Sequence, residues 1–502
     1  MKILLVYPLY PDTFWSFKHA LKFISIKAAF PPLGALTVAA MLPEKWEKRL
    51  VDLNVNTLTD ADIKWADFVF ISAMIVQKDS AKEVIQRCTR LGIKVVAGGP
   101  LFTTEPNEFP GVDHFVLNEA EVTLPLFLAD LEKGNPKKIY NTSLHPEITR
   151  TPVPLWSLIK MRNYSTMGLQ YSRGCPFNCD FCDITFLDGH HPRTKNKEQV
   201  LTELDSIYDA GWRGELFFVD DNFIGNKNKL TEETLPAIIK WMEERKHPFN
   251  LFTEVSVNLA DDEKLMQLMV KAGFSKIFVG IETPHEASLS ECGKKQNTKR
   301  DLMASIKTLQ NHGFEVMGGF IVGFDNDPAS IFKDQINFIQ KSGIVTAMVG
   351  LLNAPKGTRL YQRLKSENRL TKETSGSNTD FSLNFVPKMK PEALIRGYQE
   401  ILNNIYSPGN YYERIKTLLK EYHPGSKTWS LRSNRSLFQG FINCMWFMGI
   451  RERGRRYYWR LLASTLLTRP KSFPLLLTLS IYGYHFRRVI KQSIPEPDIT
   501  MA

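Results

Sequence analysis

The fold and the chemistry of this chain are decided by one stretch, Tyr171-Ser172-Arg173-Gly174-Cys175-Pro176-Phe177-Asn178-Cys179-Asp180-Phe181-Cys182. Three cysteine thiolates at spacings of four and three residues can bind three irons of a [4Fe–4S] cubane and leave the fourth iron without a protein ligand. A structural zinc site normally uses four ligands, and no second pair of cysteines is present. His190 or His191 could supply a fourth zinc ligand, so the spacing favours the cluster and leaves zinc as the alternative.

The six cysteines, at positions 88, 175, 179, 182, 292 and 444, do not resemble a disulfide framework, because three of them crowd into one motif. The apolar run at the N-terminus is too short for a signal peptide and reads as a first strand. The sequence contains no uninterrupted run of about 18 apolar residues, so no membrane-spanning helix is predicted. At 502 residues, 43% of them apolar, the chain is expected to fold as several domains in the reducing cytoplasm.

Six strand-and-helix units follow one another between residues 161 and 388, and the cysteines lie just after the first strand. Six units predict an incomplete α/β barrel, because a full one has eight. The predicted strands are Met167–Ser172, Glu215–Val219, Asn250–Val255, Lys276–Ile281, Glu315–Val322 and Ala347–Leu352.

The first 135 residues also alternate short apolar runs with helical patterns. Five such runs predict a doubly wound, Rossmann-like parallel sheet, whose ligand binds at the carboxyl ends of the strands. Gly98 and Gly99 would let a large ligand approach the backbone, although a tight strand-to-helix turn explains them equally well. The polar segment 136–160 is interpreted as a linker.

Residues 389–502 are predicted to form a helical domain that ends in a basic, aromatic-rich segment. Between Lys427 and Gln492 there are 13 lysines and arginines against one acid, a local excess of +12 in a chain of net charge +11. Leu437–Ile450 and Phe473–Phe486 are too short to span a bilayer but suit helices at its surface. We therefore expect peripheral membrane contact through 430–490, with a helical cap on the barrel as the alternative and nucleic acid not expected.

The cysteine motif, with Phe181 directly before Cys182, resembles that of the radical S-adenosylmethionine (SAM) superfamily. The resemblance implies that the SAM amino and carboxylate groups bind the open iron. It also implies SAM contacts at strand ends, although each such residue taken alone is more often an ordinary loop residue. The implied SAM-binding residues are Phe181, Asp220, Asp221, Asn222, Glu254, Glu282, Gly319 and Gly323.

The N-terminal domain resembles the cobalamin-binding domain of cobalamin-dependent radical SAM enzymes. The residues that carry this resemblance are Phe30-Pro31-Pro32-Leu33-Gly34, Gly98-Gly99-Pro100 and Asn118-Glu119-Ala120-Glu121. The implied cobalamin-binding residues are Pro11, Thr13, Ser72, Gly98, Gly99, Asn118 and Glu119. The DxHxxG loop that supplies a cobalt-binding histidine in methionine synthase is absent. His19 lies on a predicted helix face, so the lower face of cobalt is left unassigned.

Asp12-Thr13-Phe14-Trp15-Ser16-Phe17-Lys18 and Arg455-Arg456-Tyr457-Tyr458-Trp459 are similar to one branch of that class. The branch contains hopanoid 2-methylases, bacteriochlorophyllide side-chain methyltransferases and a glutamine C-methyltransferase acting on methyl-coenzyme M reductase. The resemblance implies an enzyme that uses a [4Fe–4S] cluster, SAM and cobalamin to methylate an unactivated sp³ carbon. It also implies a reductant protein of the flavodoxin or ferredoxin type.

The expected substrate is a small hydrophobic polycycle, either a bacteriochlorophyllide side chain or a hopanoid. Glutamine C-methylation of a protein is the alternative substrate, and a cobalamin-dependent cyclase or oxidoreductase is the alternative class. A non-catalytic cluster protein, an electron carrier or sensor, is the remaining reading. No acid–base residue is assigned, because Tyr171 and Tyr361, the two candidates, are better explained as core residues.

Overall fold

The computed structural model of the chain describes residues 1–377, 379–422 and 434–493, and the side chains of 434–438 are not considered. Part of the predicted basic segment, 423–433, therefore lies outside the described residues. The chain forms two compact units. Unit 1 contains Met1–Pro11, Lys27–Pro176 and Asp183–Asp221; unit 2 contains Asp12–Ile26, Phe177–Cys182 and the chain from Asn222 onward. Each unit combines parts of several predicted domains, so the boundaries at 135, 160 and 388 stay predictions.

The strands are β1 (Lys2–Tyr7), β2 (Glu47–Asp52), β3 (Phe68–Ser72), β4 (Lys94–Gly98), β5 (His114–Val116), β6 (Ile139–Tyr140), β7 (Thr166–Leu169), β8 (Ser172–Arg173), β9 (Arg193–Thr194), β10 (Gly214–Phe218), β11 (Phe249–Val255), β12 (Phe274–Glu282), β13 (Glu315–Val322) and β14 (Ala347–Leu351).

The α-helices are α1 (Lys18–Leu21), α2 (Leu33–Met41), α3 (Asp60–Trp65), α4 (Lys78–Arg90), α5 (Pro100–Thr104), α6 (Ala120–Glu132), α7 (Ile184–Leu187), α8 (Lys197–Asp209), α9 (Lys227–Lys229), α10 (Leu235–Glu244), α11 (Glu263–Ala272), α12 (Glu286–Glu291), α13 (Leu302–Asn311), α14 (Ile331–Ser342), α15 (Arg359–Ser366), α16 (Pro391–Ile405), α17 (Pro408–Glu421), α18 (Asn434–Trp446), α19 (Arg455–Thr468) and α20 (Phe473–Ser493). Short π-helices at Leu230–Thr234 and Phe447–Arg451 lead into α10 and follow α18.

In unit 1, a parallel sheet has the strand order β2-β1-β3-β4-β5-β6. Successive residues of its central strands enter two different apolar cores, one on each face: Leu4 and Val69 lie in one, Leu5 and Phe70 in the other. Burial on both faces explains the continuous apolar runs and confirms the doubly wound prediction. The prediction of five strands was wrong, because Ile139 and Tyr140 in the supposed linker pair with β5 as a sixth strand.

Unit 1 also contains the first strands of the radical SAM barrel, with β7 parallel to β10. The predicted single strand 167–172 was wrong, because β7 ends at Leu169. The buried carboxylate of Asp220 accepts hydrogen bonds from the amides of Tyr171 and Ser172, which removes both from the strand ladder. The chain then enters a short antiparallel ribbon in which β8 pairs with β9.

In unit 2, β11, β12, β13 and β14 form a parallel series with helices between the strands. The helix α16 and the residue after it are fastened to β14, because Tyr398 and Tyr406 donate hydrogen bonds to the carbonyls of Val349 and Ala347, at 3.0 and 2.6 Å. The helical-cap alternative for 430–490 stays a prediction. Among the described helices, none is both long and apolar enough to cross a membrane.

The segment Asp12–Ile26 leaves the sheet of unit 1 and packs on α20 within unit 2. The rings of Phe14 and Phe486 stack with their centroids 4.0 Å apart, and the His485 side chain contacts the Phe14 carbonyl at 3.0 Å. The C-terminal helix therefore fixes the loop that follows the first strand of the chain.

Candidate active site

Cys175 belongs to unit 1, and the loop that carries it is tightly packed. Gly174 has φ of +89°, and a Cβ there would come within 2.9 Å of the carbonyl oxygens of Gly189 and His191. The Cys175 amide donates a hydrogen bond to the Gly189 carbonyl at 3.2 Å. Only glycine fits at position 174, because the conformation and the close approach both exclude a side chain.

Cys179 and Cys182 belong to unit 2, where the residues between them are held from two sides. The amide of Asp180 donates to the carbonyl of Cys292 at 2.9 Å, and Arg359 forms an ion pair with the Asp180 carboxylate. Phe181 packs beside Phe324 with 6.2 Å between ring centroids, as part of an apolar cluster. This packing anchors the loop, and a contact between Phe181 and SAM stays a prediction.

The zinc alternative needs donors that converge on a single ion. Among the described residues, no three His, Cys, Asp or Glu side chains converge in that way, and none of the six cysteines forms a disulfide. His190 and His191 are both exposed. The choice between cluster and zinc therefore still rests on the cysteine spacing, which favours the cluster.

Asp220 is fully buried, and its carboxylate is used within unit 1. The oxygens accept the Tyr171 amide at 3.0 Å, the Ser172 hydroxyl at 2.5 Å and the Ser172 amide. Burial raises the pKa of Asp220 to about 6, although these hydrogen bonds oppose the shift. The observed role of Asp220 is to shape the turn before the cysteines, and its predicted contact with SAM stays a prediction.

Asn222, in unit 2, has a buried amide with a free donor. Its Oδ1 accepts the amide and the hydroxyl of Ser256 at 3.2 and 3.3 Å, whereas its Nδ2 has no hydrogen-bond partner among the described residues. A buried donor without a partner is costly unless a ligand satisfies it. Asn222 therefore fits the predicted SAM site, while Asp221 and Glu254 stay predictions.

Glu282 ends β12 in a left-handed conformation, with φ of +63°, which is uncommon for a residue other than glycine. The Lys294 ammonium approaches its carboxylate at 2.5 Å, and both side chains are largely buried. Burial disfavours the Lys294 charge, but Glu282 and the thiols of Cys179 and Cys182 together raise the Lys294 pKa above its ordinary value. One predicted SAM residue and two predicted cluster cysteines therefore share the electrostatic environment of Lys294.

Lys294 was missed by sequence reasoning, and so was Gln296. The Gln296 amide donates to the sulfur of Cys179 at 3.8 Å, and its buried Oε1 has no partner among the described residues. The only sequence signal was the polar run Lys294-Lys295-Gln296-Asn297 after Gly293 in the loop that follows β12. Thiols, a cationic group and unsatisfied amides fit a cluster that binds a zwitterionic ligand.

Gly319 and Gly323 lie in and after β13. A Cβ at Gly319 would come within 2.8 Å of the Phe278 ring, and Gly323 has φ of +112°. The Gly323 amide donates to the Asp327 carboxylate at 2.8 Å. Packing and backbone conformation therefore explain both glycines, and their predicted SAM contacts stay predictions.

A cavity of about 330 Å³ lies entirely within unit 1, at the carboxyl ends of the Rossmann-like strands. Gly34 and Thr37 of α2, Ser72, Gly99 and Asn118 line one wall. The other wall is charged and contains Glu119, Glu121, Arg173, Asp188, Lys195 and Glu203. An adjoining apolar pocket of about 60 Å³ reaches between the sheet and helices α2 and α6. A polar opening and an apolar slot suit a corrin with amide side chains and an aromatic tail, so the residues fit cobalamin.

Ser72, Gly98, Gly99, Asn118 and Glu119 line these two cavities, as the resemblance implied. Gly98 and Gly99 also have a structural reason, because a Cβ would meet the Val116 carbonyl at 2.6 Å or the Ala73 carbonyl at 3.1 Å. Among the described residues that line the cavities, Pro11 and Thr13 are not found, and Thr13 belongs to unit 2. The cobalamin contacts of Pro11 and Thr13 stay predictions.

The remaining candidates are accounted for within their own units. His19 contacts the side chain of Gln492 at 3.3 Å in unit 2. Tyr171 is fully buried in unit 1, and Tyr361 packs against the apolar cluster around Phe324. Both tyrosines lie in packed surroundings, and the acid–base residue stays unassigned.

Comparison with known proteins matches three successive parts of the chain to known families. Residues 22–128 match the B12 binding domain, residues 169–339 match the radical SAM superfamily, and residues 358–497 match a domain of unknown function. An uncharacterized methyltransferase of Synechocystis is 40% identical over 99% of this chain and 94% of its own length. The hopanoid C-2 methylase of Rhodopseudomonas palustris is 34% identical over 91% of this chain and 88% of its own length.

The chain belongs to the cobalamin-dependent radical SAM methyltransferases. The fold agrees with two solved structures of low sequence identity. The radical SAM methyltransferase TsrM of Kitasatospora setae matches with a TM-score of 0.60 at 14% identity, over 93% of this chain and 99% of that one. The cobalamin-dependent radical enzyme OxsB matches with a TM-score of 0.63 at 16% identity, over 98% and 80%.

The membership settles the cofactors of the methyltransferase, which are a [4Fe–4S] cluster, SAM and cobalamin. It also confirms the predicted architecture of a cobalamin-binding domain, a partial radical SAM barrel and a helical C-terminal region. The methyltransferase needs a reductant, because radical formation from SAM consumes an electron. The non-catalytic alternative, an electron carrier or sensor, is thereby set aside.

Proposed function

We propose that this methyltransferase adds a methyl group to an sp³ carbon of a hydrophobic polycycle of the hopanoid class. When bound, the cluster and SAM supply a radical that removes hydrogen from carbon, and cobalamin carries the methyl group. The protein must hold these groups and the target carbon in one geometry and keep water out. The substrate proposal depends on which side chains of unit 2 are available to an apolar ligand.

The observation that supports the proposal is a continuous row of half-buried aromatic side chains in unit 2. Phe278 of β12 contacts Trp15 with 5.3 Å between ring centroids, Trp15 lies 6.2 Å from Phe17, and Phe17 lies 4.9 Å from Tyr482. The Trp15 indole also donates to the sulfur of Met348 at 3.0 Å. None of these five side chains is fully buried. We refer to the four aromatic side chains together with Met348 as the aromatic row.

The aromatic row suits a flat or gently curved apolar ligand. Each 100 Å² of apolar ligand surface that leaves water contributes about 2.5 kcal/mol. Met348 is unbranched and adapts its shape to a ligand. A glutamine side chain in a protein would offer the row little apolar surface, so the glutamine alternative is less well supported.

The relatives support a hopanoid over a bacteriochlorophyllide. The hopanoid C-2 methylase is 34% identical, whereas the two bacteriochlorophyllide methyltransferases of Chlorobaculum tepidum are 21% and 22% identical over 81% and 77% of this chain. The anaerobic cyclases match only 60% and 61% of this chain. A methylase is therefore favoured over a cyclase.

The substrate is tested with reconstituted enzyme, SAM, cobalamin and a reductant, supplied in parallel with a hopanoid, a bacteriochlorophyllide or a glutamine peptide. We expect a product heavier by one methylene from the hopanoid alone. Trp15→Ala is expected to raise KM for the hopanoid about tenfold or more, because it removes a large apolar contact. Trp65→Ala, at a tryptophan that stacks on Arg49 in unit 1, is the control. Methylation of only the peptide would refute the proposal.

We further propose that the methyltransferase contacts an anionic membrane surface through α18 and α19. Ile442, Trp446 and Ile450 recur every four residues and are each about half exposed. The Trp459 indole donates to the Gly449 carbonyl at 2.9 Å, which places a further exposed aromatic ring beside this stripe. Exposed arginines at 451, 453, 455, 456 and 460 follow it. Apolar side chains with neighbouring cations suit an anionic lipid interface.

The membrane proposal is tested by sedimentation with vesicles of phosphatidylglycerol or phosphatidylcholine. Binding to the anionic vesicles is expected, together with its loss in Trp446→Ser/Ile450→Ser. Leu144→Ser, at an exposed leucine of unit 1, should bind as the wild type does. Equal binding by all three proteins would refute the proposal.

We also propose that a flavodoxin or ferredoxin reduces the methyltransferase, and that the enzyme lies at the inner face of the cytoplasmic membrane. The absence of a disulfide among the six cysteines supports a reducing compartment. Reduction of the cluster by either purified donor, with NADPH and its reductase, tests the partner.

A further inference from the structure

The charged wall of the unit 1 cavity contains a cluster of ion pairs centred on Glu119. One Glu119 oxygen contacts Arg193 at 2.7 Å and His145 at 3.1 Å, and the other contacts Arg173 at 2.8 Å and Arg193 at 2.8 Å. The second acid, Glu121, accepts from Arg173 at 2.9 Å and from the hydroxyl of Thr151 at 2.6 Å. We refer to Glu119, Glu121, Arg173 and Arg193 as the ion cluster.

The ion cluster joins two elements that are far apart in sequence. Arg173 and Arg193 lie directly opposite each other in the β8–β9 ribbon, where two like charges repel. Glu119 immediately precedes α6 and Glu121 lies in its first turn, where the helix dipole favours negative charge. The acids of α6 therefore neutralise the ribbon, and the ribbon arginines neutralise the acids.

All four side chains of the ion cluster are largely buried, with 5 to 13% of each exposed. Burial alone would raise the pKa of Glu121, but Arg173 lowers it below the usual value. A buried charged group that loses its partner is strongly destabilised, so these contacts stay paired in the folded protein.

The two ends of the ion cluster are placed at two cofactor sites. Arg173 is two residues before Cys175, and Gly174 between them is fixed against the 188–191 backbone. At the other end, Asn118 and Ala120 flank Glu119 and line the cobalamin cavity. One set of ion pairs therefore fastens the first cluster cysteine to the wall of the cobalamin cavity.

We propose that Arg173 is a positioning residue that fixes the distance between the iron–sulfur cluster and cobalamin by bridging Glu119 and Glu121. Methyl transfer to a carbon radical requires the methyl carrier and the radical source to face the same carbon. If the distance between the two cofactors varied, radicals would form without being methylated. This inference rests on the cobalamin dependence of the family and is independent of the substrate proposed above.

Arg173→Lys and Glu121→Gln test this proposal in the holoenzyme. Lysine keeps the charge but lacks the planar fork that binds two carboxylates at once. Glu121→Gln weakens one arm and leaves Glu119 in place. Arg87→Lys is the matched control, because Arg87 pairs with Asp60 on the surface of unit 1. The primary measurement is the distance distribution between the reduced cluster and cob(II)alamin by pulsed electron paramagnetic resonance, which needs no substrate.

We expect both variants to keep full iron and cobalamin content while the distance distribution broadens by about 1 Å, and the yield of methylated product per 5′-deoxyadenosine to fall about 100-fold. Arg87→Lys should leave both quantities unchanged. A wild-type distance distribution in both variants would overturn the proposal. Loss of iron or cobalamin would overturn it as well, because the ion cluster would then be needed to bind the cofactors and not only to set the distance between them. If Arg173→Lys fails to fold, Glu121→Gln decides.

Discussion

The surroundings of Glu119 in unit 1 and of Cys179 in unit 2 are both polar, but they differ in how well their side-chain oxygen atoms are satisfied. On the Glu119 side, the buried atom without a hydrogen-bond partner among the described residues is a nitrogen, Nε of Arg193. Both oxygens of Glu119 are taken by cationic or histidine groups of the chain itself. Beside Cys179, the buried Oε1 of Gln296 has no partner among the described residues, and neither has Oδ1 of the next residue, Asn297.

The difference separates positioning from binding. A saturated group contributes stability and a fixed geometry but has no remaining capacity for a ligand, whereas an unsatisfied buried group gains the most when a ligand arrives. Unit 1 therefore uses its buried charges near Glu119 to hold two elements together. Unit 2 keeps polar atoms available beside the cluster cysteines.

Loss of a cluster ligand is the largest effect expected on the binding side of this comparison. Cys179→Ala should lower the iron content of the reconstituted enzyme about tenfold or more. A cluster held by three cysteines has no spare protein ligand to replace the one that is lost. Cys292→Ala, at a buried cysteine of the same unit, is the control and should keep its iron. Equal iron loss in both variants would show that packing, and not ligation, was removed.

Lys294→Met leaves the Glu282 carboxylate buried without its partner. Breaking a buried ion pair costs about 3–5 kcal/mol, so the free energy of unfolding should fall by that amount. Lys240→Met is the control, since Lys240 pairs with Glu244 at 3.9 Å on the surface and should change stability by less than about 0.5 kcal/mol. Urea denaturation measures both. A small effect for Lys294 would mean that Glu282 is satisfied by other groups.

Asp188 lines the unit 1 cavity and tests the unit 1 side of the comparison. Unlike the pKa of Glu121, the pKa of Asp188 is raised, by burial, to about 6. The folded protein binds this proton more tightly than the unfolded chain, so an ionised Asp188 costs stability above pH 6, and the cost vanishes below about pH 4. Asp188→Asn should stabilise the apo-protein by at most about 3 kcal/mol at pH 8.

The same substitution should have little effect on stability near pH 3, where Asp188 is mostly protonated in both states. Thermal unfolding from pH 3 to 8 follows this difference. Asp60→Asn is the control, and it should lower stability at neutral pH instead of raising it. The reason is that the hydrogen bond from Arg87 lowers the pKa of Asp60, so the ionised form is stabilised in the folded protein. A pH-independent gain for Asp188→Asn would contradict the assignment.

Gln296→Leu gives the smallest expected effect. Its amide donates to the Cys179 sulfur, and hydrogen bonds to cluster sulfurs favour the reduced, more negative state. Loss of a bond of about 0.5–1.5 kcal/mol corresponds to a fall of about 20–60 mV in the one-electron potential of the cluster. Spectroelectrochemical titration measures this shift. An unchanged potential would place Gln296 outside the environment of the cluster.

The central N-terminal strands were predictable from sequence because they are buried on two faces and read as continuous apolar runs. Barrel strands such as β11 were predictable as short β-branched and aromatic runs in which every second residue is buried. The cysteine motif was predictable because its ligands are adjacent in the chain. The end of β7 at Leu169 was not, since Asp220, about fifty residues later, removes two amides from the ladder. The strand β6 was missed because two residues carry no periodicity.

The site was predicted less completely than the fold. Asn222 and Glu282 were implied by the resemblance to the radical SAM superfamily at positions that end strands, and their surroundings support a ligand site. Lys294 and Gln296 were not, because loop residues become neighbours of a cysteine only through the course of the backbone. Glu119 was predicted as a cobalamin contact, and its carboxylate is occupied by Arg173, Arg193 and His145.

The sequence by itself determined what is local: the motif of three cysteines, the two alternating α/β series, and the basic, aromatic end of the chain. These follow from spacing and periodicity along one segment. Only the tertiary structure decided which charges saturate one another and which polar atoms stay available. The reason is physical, because satisfaction of a buried group depends on partners brought from distant positions, as Glu119 meets Arg173 and Arg193 across more than fifty residues.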